Sequence, residues 1–225
     1  MRNIFFDLYG TLIDIHTDEE NPLFWQKLTK RWRKYHTLTV SELKTKYLSI
    51  CSKFQKEKEE IDILAVFKEL LNLDDKQAIR FACDFRKYST KYIRLYPQAK
   101  VLLKNLKKRG YGLYVLSNAQ NAFTVPELKR LGIYKCFDGI AISSDYGVKK
   151  PNEAFFLNAI KEFDLSISSV MMIGNDYECD IMPAQRLGLK TIFIQSNLTP
   201  KHDSKDYELG FNCKKLLNKI TNVNW

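Results

Sequence analysis

The segment NIFFDLYGT, residues 3–11, decides the predicted fold. Its short apolar run ends at Asp7, and Gly10 and Thr11 follow as turn residues. Short apolar runs that are closed by turn residues are typical of buried strands in a parallel sheet. The same pattern recurs in four later segments, each followed by polar or small residues: GLYVL at 112–116, GIAI at 139–142, VMMI at 170–173 and TIFI at 191–194.

Helix-like segments separate these runs at residues 98–109, 152–163 and 178–187. Gly110 follows the first segment and suits a helix C-terminus, where glycine adopts the left-handed conformation without strain. Strands that alternate with helices in this way are typical of βαβ units. The sequence therefore predicts an α/β fold, with a Rossmann-like three-layer core around a parallel sheet.

Residues 17–94 differ from the rest because they contain no clear strand-like run. Phe24, Leu28 and Trp32 recur at four-residue spacing, and similar apolar periodicity returns twice before residue 90. Charged residues fill the gaps, so the pattern predicts four amphipathic helices. We therefore expect a helical cap domain at 17–94, inserted into a discontinuous core of residues 1–16 and 95–225.

The chain is basic, with 36 Lys and Arg against 26 Asp and Glu and a formal net charge of +10. Such a charge favours either a polyanionic partner or the steering of a small anionic substrate. No recognised nucleic-acid-binding module accompanies the charge. We therefore expect a small anionic substrate and no nucleic-acid partner.

The five cysteines and the apolar runs bear on the compartment. An odd number of cysteines without a C-x-x-C pair favours free thiols in a reducing compartment over disulfides or a zinc site. The apolar run before Asp7 is too short for a signal peptide, and no run approaches the length that spans a bilayer. We expect a cytoplasmic protein without a membrane partner, as a monomer or a homodimer.

Polar residues follow the predicted strands in an order that suggests a reaction centre. In open α/β sheets, ligands bind beyond the carboxyl ends of the strands. Each of these residues alone is more often a turn or helix-cap residue, but together they should converge on one edge. The set consists of Asp7, Ser117 and Asn118, Lys149 and Lys150, Asn175 and Asp176, and Asp180.

The chemistry of this set is that of a covalent hydrolase. A carboxylate such as Asp7 can attack phosphorus or an activated carbon and then be released by water. A lysine beside it would keep it ionised and would neutralise charge on a phosphoryl group. Further carboxylates would hold a hard cation such as Mg²⁺ through oxygen ligands.

Four motifs resemble those of the haloacid dehalogenase-like (HAD) hydrolase superfamily, and the resemblance covers essentially the whole chain. They are DLYGTLID at 7–14, LSN at 116–118, KPN at 150–152 after Gly147 and Val148, and IGND at 173–176 followed by Asp180. The insert after the first motif resembles the helical cap of members that carry a cap at this place. The motifs together are specific for the superfamily but not for a substrate.

The resemblance implies a role for each matching residue. Asp7 would be the nucleophile, with Gly10 and Thr11 forming the turn against the substrate. Ser117 and Asn118 would bind the transferred group, and Lys150 would stabilise the charged intermediate.

A magnesium site is also implied by the resemblance. Asp7, the backbone carbonyl of Tyr9 and Asp176 would hold Mg²⁺, and Asp180 would bind the ion or orient the site. Asn175 is the alternative to Asp176, since either residue can occupy the position of the usual first acidic residue. Asp176 is preferred because a carboxylate binds Mg²⁺ better than an amide does.

Two departures from the family pattern point in opposite directions. Phosphatases of the superfamily usually carry a second Asp two residues after the nucleophile, which protonates the leaving group. Tyr9 stands there, and an unperturbed phenol with a pKa of about 10 is a poor substitute as a catalytic acid. The D-x-Y-G-T-L pattern resembles instead the metal-independent 2-haloacid dehalogenases, whose halide leaves without a proton.

The carboxylates of the fourth motif favour a phosphatase instead, because they suit a metal cation and a phosphate substrate. The leading hypothesis is therefore a Mg²⁺-dependent phosphatase of a small phosphorylated metabolite. The alternatives are a metal-independent 2-haloacid dehalogenase and a catalytically weak, ligand-binding relative.

Overall fold

A computed structural model of the chain describes residues 2–210 and 212–223. Its strands, in chain order, are β1 (Asn3–Phe6), β2 (Ile13–Thr17), β3 (Thr90–Leu95), β4 (Gly112–Ser117), β5 (Gly139–Ile142), β6 (Val170–Gly174), β7 (Lys190–Gln195) and β8 (Glu208–Leu209). Six of them form one parallel sheet in the order β5-β4-β1-β6-β7-β8. The predicted α/β fold with a parallel sheet is therefore confirmed.

The described residues also form ten α-helices: four between β2 and β3, five between β3 and β7, and one after β8. They are α1 (Pro22–Trp32), α2 (Val40–Glu57), α3 (Ile63–Leu71), α4 (Asp75–Ser89), α5 (Ala99–Lys108), α6 (Asn121–Arg130), α7 (Ser143–Tyr146), α8 (Glu153–Glu162), α9 (Met182–Arg186) and α10 (Cys213–Thr221). A one-turn π-helix at Tyr177–Ile181 precedes α9. None of the described helices is both long and apolar enough to cross a bilayer.

The first strand lies at the centre of the sheet, and all four of its residues are buried. It pairs with β4 on one side and with β6 on the other. The chain therefore fills one half of the sheet with β4 and β5 and the other half with β6 to β8. Such a reversal of strand order opens a crevice at the carboxyl end of the central strand, directly after Phe6.

Alternating side chains of β1 enter two separate hydrophobic clusters, as a pleated strand requires. Ile4 and Phe6 pack with residues of α5 and α10 on one face of the sheet. Phe5 packs with Phe155 and Phe156 of α8 on the other face. Helices thus cover both faces, which gives the predicted three layers.

A third hydrophobic cluster joins helices α1 to α4, where four amphipathic helices were predicted. Its centre is aromatic: the ring of Phe67 lies 4.8 Å from that of Phe81 and 5.0 Å from that of Phe85. Phe123 of α6 also joins this cluster, so the helical region packs against the sheet domain. The domain boundaries at residues 17 and 94 stay a prediction.

The absence of strands from residues 17–94 was a wrong prediction. Strand β3 lies in that region and pairs antiparallel with β2, which connects the helical region to the core. The side chains of β3 are largely exposed, so an apolar run is missing from its sequence. Polar contacts hold the pair instead: Arg94 lies 2.8 Å from the Asp14 carboxylate.

The aromatic cluster predicts a large effect of a single truncation. Phe67→Ala should lower the free energy of unfolding by about 3–5 kcal/mol, because it leaves a cavity at a fully buried position. Urea denaturation measures the change. Ile79→Ala is the matched control, since Ile79 lies on α4 with 52% of its surface exposed. An effect of Phe67→Ala no larger than that of the control would contradict this packing.

Candidate active site

The Asp7 carboxylate lies at the carboxyl end of the central strand, where the strand order reverses. The backbone N–H of Asp7 still donates to the carbonyl of Ile173 at 2.9 Å, so the sheet fixes its main chain. Its two carboxylate oxygens accept from different partners: Oδ1 from Lys150 Nζ at 2.9 Å and Oδ2 from Thr11 Oγ1 at 3.1 Å. The side chain is therefore held in one orientation.

The Lys150 ammonium is fully buried between two carboxylates. Besides Asp7, it lies 2.7 Å from Asp180 Oδ1 and donates to the backbone carbonyl of Leu116 at 2.7 Å. An ammonium has three donors, and these three acceptors match them. Burial opposes the charge, but Asp180 and Asp7 raise the pKa of Lys150 above its usual range. Lys150 is therefore a fixed positive charge beside Asp7.

Asp180 is the second buried carboxylate of this group. Burial raises its pKa above the usual range, and the charge of Lys150 acts in the opposite direction. Its Oδ2 also accepts from the backbone N–H of Asp176 at 2.9 Å. The residue therefore supports Lys150 and the turn after β6 at once.

Ser117 and Asn118 follow the neighbouring strand β4. Asn118 Nδ2 donates to the carbonyl of Lys150, and the N–H of Lys150 donates to Asn118 Oδ1, both at 2.8 Å. This reciprocal pair positions the lysine. The Ser117 hydroxyl is buried, and among the described residues it has no hydrogen-bond partner. An unpaired buried hydroxyl is costly, so the Ser117 hydroxyl keeps an unused capacity for a hydrogen bond.

Gly10 is required by a close approach between two loops. Its backbone has a φ of +92°, and a Cβ on it would lie 2.3 Å from Asn175 Nδ2. Both features exclude other residues, because side chains rarely adopt this φ and none would fit the gap. The turn of the first motif therefore packs directly on the fourth motif.

The side chain of Tyr9 is turned toward helix α6. Its hydroxyl donates to Glu127 Oε2 at 2.5 Å and lies 3.1 Å from Thr124 Oγ1. Burial and the negative charge of Glu127 raise the pKa of Tyr9 above its usual range. The Tyr9 hydroxyl is therefore poorly suited to protonate a leaving group at Asp7.

The amide of Asn175 lies beside the oxygens that were expected to hold a metal ion. With its nitrogen toward them, it donates to Tyr9 O at 3.0 Å and to Asp7 Oδ2 and Thr11 Oγ1 at 3.1 Å. In the opposite orientation, the amide oxygen would stand at the same place beside the Asp7 and Tyr9 oxygens. Oxygens about 3 Å apart match the edge of an octahedron around Mg²⁺, whose ligands lie at about 2.1 Å. One carboxylate, a carbonyl and an amide oxygen therefore fit this ion.

Asp176 has a different environment, although it was the preferred metal ligand. Its Oδ1 accepts from the backbone N–H groups of Glu178 and Cys179, at 3.0 and 2.9 Å, and so caps the following π-helix. No three His, Cys, Asp or Glu side chains within residues 2–210 and 212–223 form a group that could hold a metal ion. The structure thus places Asn175 nearer to the expected donors, and the choice of ligand stays a prediction.

A small cavity of about 160 Å³ is lined by seven of the predicted site residues, whereas Gly10, Thr11, Ser117 and Lys149 do not line it. Sequence reasoning missed Leu198 and Pro200 because neither periodicity nor a motif marks them, and it gave no role to Cys179, which lies within the fourth motif. It also missed Glu127, which Tyr9 contacts. The full lining is Asp7, Tyr9, Asn118, Lys150, Asn175, Asp176, Cys179, Asp180, Leu198 and Pro200.

Removal of the buried ammonium should destabilise the fold in a pH-dependent way. Lys150→Met should lower the free energy of unfolding by about 3–5 kcal/mol near neutral pH, because Asp7 and Asp180 lose their partner. A carboxylate without its cation binds a proton more tightly in the folded state than in the unfolded state. The folded variant then holds more protons, and its stability falls as the pH rises.

The loss should therefore be larger at about pH 8 than at about pH 5. Urea denaturation at the two pH values measures it. Lys149→Met is the matched control, because Lys149 is the same residue type one position earlier and is half-exposed. An equal loss at both pH values would contradict the pairing.

Comparisons with known proteins agree with this architecture. The chain is 34% identical over 107 residues to the glyceraldehyde 3-phosphate phosphatase of Methanothermobacter thermautotrophicus, which is 48% of this chain and 47% of that protein. The match thus spans about half the length of that relative. Identity to the (S)-2-haloacid dehalogenase of Pseudomonas sp. strain YL is 28% over 204 residues, 86% of this chain and 82% of that protein.

A solved structure extends the likeness to the whole fold. The crystal structure of a HAD phosphatase from Thermococcus onnurineus superposes with a TM-score of 0.63 at 21% identity, over 99% of this chain and 98% of that one. The family model of haloacid dehalogenase-like hydrolases matches residues 1–188. Because this match covers most of the sequence, the chain belongs to the haloacid dehalogenase-like hydrolases.

Proposed function

We propose that the chain hydrolyses phosphate monoesters of small anionic metabolites and that Asp7 attacks the phosphorus. The observation that carries this proposal is the Asp7 carboxylate at the end of the central strand, which Lys150 and Thr11 hold in one orientation. A fixed cation at this place favours the charge of a phosphoryl group. The names of relatives such as the glyceraldehyde 3-phosphate phosphatase support the same substrate class.

The proposed reaction has two steps. An Asp7 oxygen bonds to phosphorus while the bond between phosphorus and the ester oxygen breaks, and the leaving oxygen takes a proton from water. A second water then attacks the phosphorus and gives its proton to the hydroxide that the first water left, and the bond between phosphorus and the Asp7 oxygen breaks, which releases phosphate and restores the carboxylate. Lys150 stabilises the negative charge in both steps, and the Ser117 hydroxyl donates to a phosphoryl oxygen. Because the Tyr9 hydroxyl is bound to Glu127, we expect a preference for esters with good leaving groups.

Mg²⁺ is the proposed cofactor. Asp7, the Tyr9 carbonyl and the Asn175 amide oxygen would hold it, with Asp176 as the alternative ligand and Asp180 as a supporting residue. When bound, the ion would neutralise charge on the phosphoryl group.

Turnover of an activated phosphate ester tests the proposal. The wild-type chain should hydrolyse p-nitrophenyl phosphate in Mg²⁺, and removal of the metal with a chelator should reduce the rate. Asp7→Asn should abolish turnover, because an amide cannot form the acyl phosphate. Release of p-nitrophenol measures the rate, and Asp138→Asn is a control at an exposed carboxylate that contacts Lys107. Lack of any turnover across a panel of phosphate esters would contradict the proposal.

Asn175 offers a separate test of the metal site. Asn175→Asp replaces an amide by a carboxylate next to the Asp7 and Tyr9 oxygens, so the affinity for Mg²⁺ should rise about tenfold or more. Calorimetric titration with Mg²⁺ measures this without any substrate. Asn197→Asp is the control, since Asn197 contacts Asp14 outside the cavity. An unchanged affinity in Asn175→Asp would argue against a metal ion at this place.

A second candidate function is supported by the environment of Tyr9. Halide leaves without a proton, so a 2-haloacid dehalogenase needs no acid two residues after the nucleophile. The 28% identity to the Pseudomonas (S)-2-haloacid dehalogenase over most of both chains supports the same candidate. Chloride release from (S)-2-chloropropionate without added metal would favour it over the phosphatase.

A further inference from the structure

The carboxylate of Glu127 joins three parts of the molecule. Glu127 lies on α6 of the sheet domain and is buried, with 5% of its surface exposed. It accepts from the Tyr9 hydroxyl at 2.5 Å, and Tyr9 lies two residues after Asp7. It also accepts from Arg86 Nε at 2.7 Å, and Arg86 lies on helix α4 of the helical region.

The arrangement leaves little freedom to the Tyr9 side chain. Thr124, one turn before Glu127, also contacts the Tyr9 hydroxyl at 3.1 Å. The guanidinium of Arg86 lies 5.8 Å from the centre of the Tyr9 ring and 5.0 Å from that of Phe123. The ring is therefore bounded by groups from both α4 and α6.

The backbone of Tyr9 is part of the site even though its hydroxyl points away. The Tyr9 carbonyl lies 3.0 Å from the Asn175 amide, which also contacts Asp7. A rotation of Tyr9 would therefore displace the carbonyl and the neighbouring nucleophile together. Displacements of about 1 Å at a reacting group can cost about a hundredfold in rate.

We propose that Glu127 is a positioning residue: it holds the Asp7–Thr11 turn in place through the Tyr9 hydroxyl, and its ion pair with Arg86 links the turn to the helical region. The proposal rests on the function proposed above, in which Asp7 is the nucleophile. It assigns to Tyr9 a role as an anchor of the turn, in place of the acid that phosphatases of the superfamily carry there.

Two conservative variants separate the two contacts of Glu127. Tyr9→Phe removes the hydroxyl but keeps the ring and the pair between Glu127 and Arg86. Glu127→Gln keeps an acceptor for Tyr9 but presents an amide N–H to Arg86. Each should lower kcat for p-nitrophenyl phosphate by about tenfold or more and change KM by less than about threefold. In Tyr9→Phe the turn loses its hydrogen bond, and in Glu127→Gln the acceptor of that bond is no longer fixed by Arg86, while the binding groups remain in both.

The double variant tests whether the two residues act together. If they hold one turn, Tyr9→Phe and Glu127→Gln combined should reduce kcat no further than the more damaging single change. Arg31→Met is the control for a lost arginine contact to helix α4. Arg31 lies on α1 and pairs with Asp84 of α4, but its side chain is 63% exposed and does not contact the turn. Multiplied effects, full kcat in Tyr9→Phe, or an equal loss in Arg31→Met would overturn the proposal.

Hydrogen exchange provides a readout that does not depend on turnover. The N–H groups of Thr11, Leu12 and Ile13 all donate to the Leu8 carbonyl, and that of Gly10 donates to the Ile13 carbonyl. In Tyr9→Phe, these four amides should exchange about tenfold faster than in the wild type, and in Arg31→Met they should not change. Unchanged exchange would overturn the proposal even if no substrate were found, whereas fast exchange without turnover would contradict only the proposed function.

Discussion

The ion pair among Lys150, Asp7 and Asp180 is the interaction on which the rest of the site depends. Three elements that are far apart in sequence meet at one ammonium, and the sheet domain excludes water from it. A buried charge of this kind is stable only when every donor finds an acceptor, and the Leu116 carbonyl supplies the third. The positions of Asp7, Asp180 and the end of β4 are therefore constrained together. Asp7 and the Leu116 carbonyl can meet at one ammonium because β4 lies directly beside β1 in the sheet.

Much of the sheet was predictable because its strands are buried on both faces. Such strands need continuous apolar runs, and the runs of β1 and of β4 to β7 were visible in the sequence, whereas the two-residue strand β8 was not predicted. The convergence of Asp7 and Lys150 followed from the general rule about the carboxyl ends of parallel strands. The strands β2 and β3 were missed because neither contains a continuous apolar run: polar residues interrupt both, and the side chains of β3 are exposed or half-buried.

The details of the site were less predictable because they depend on side-chain directions. Asn175 and Asp176 are adjacent, and the sequence left open which of them faces Asp7. In the structure, Asp176 begins a helix, and its side chain is used by the N–H groups of that first turn. The contact between Tyr9 and Glu127 joins residues 118 positions apart, and no motif connects them.

Gly10 and Asn175 illustrate a constraint that concerns the design of variants. The two residues approach so closely that a single added methyl group has no room between them. The size of the residue at position 10 is therefore limited by the side chain at position 175, although the two positions belong to different motifs. A mutant library at this edge of the sheet should therefore keep Gly10 constant, because its φ of +92° disfavours a side chain there whatever residue stands at position 175.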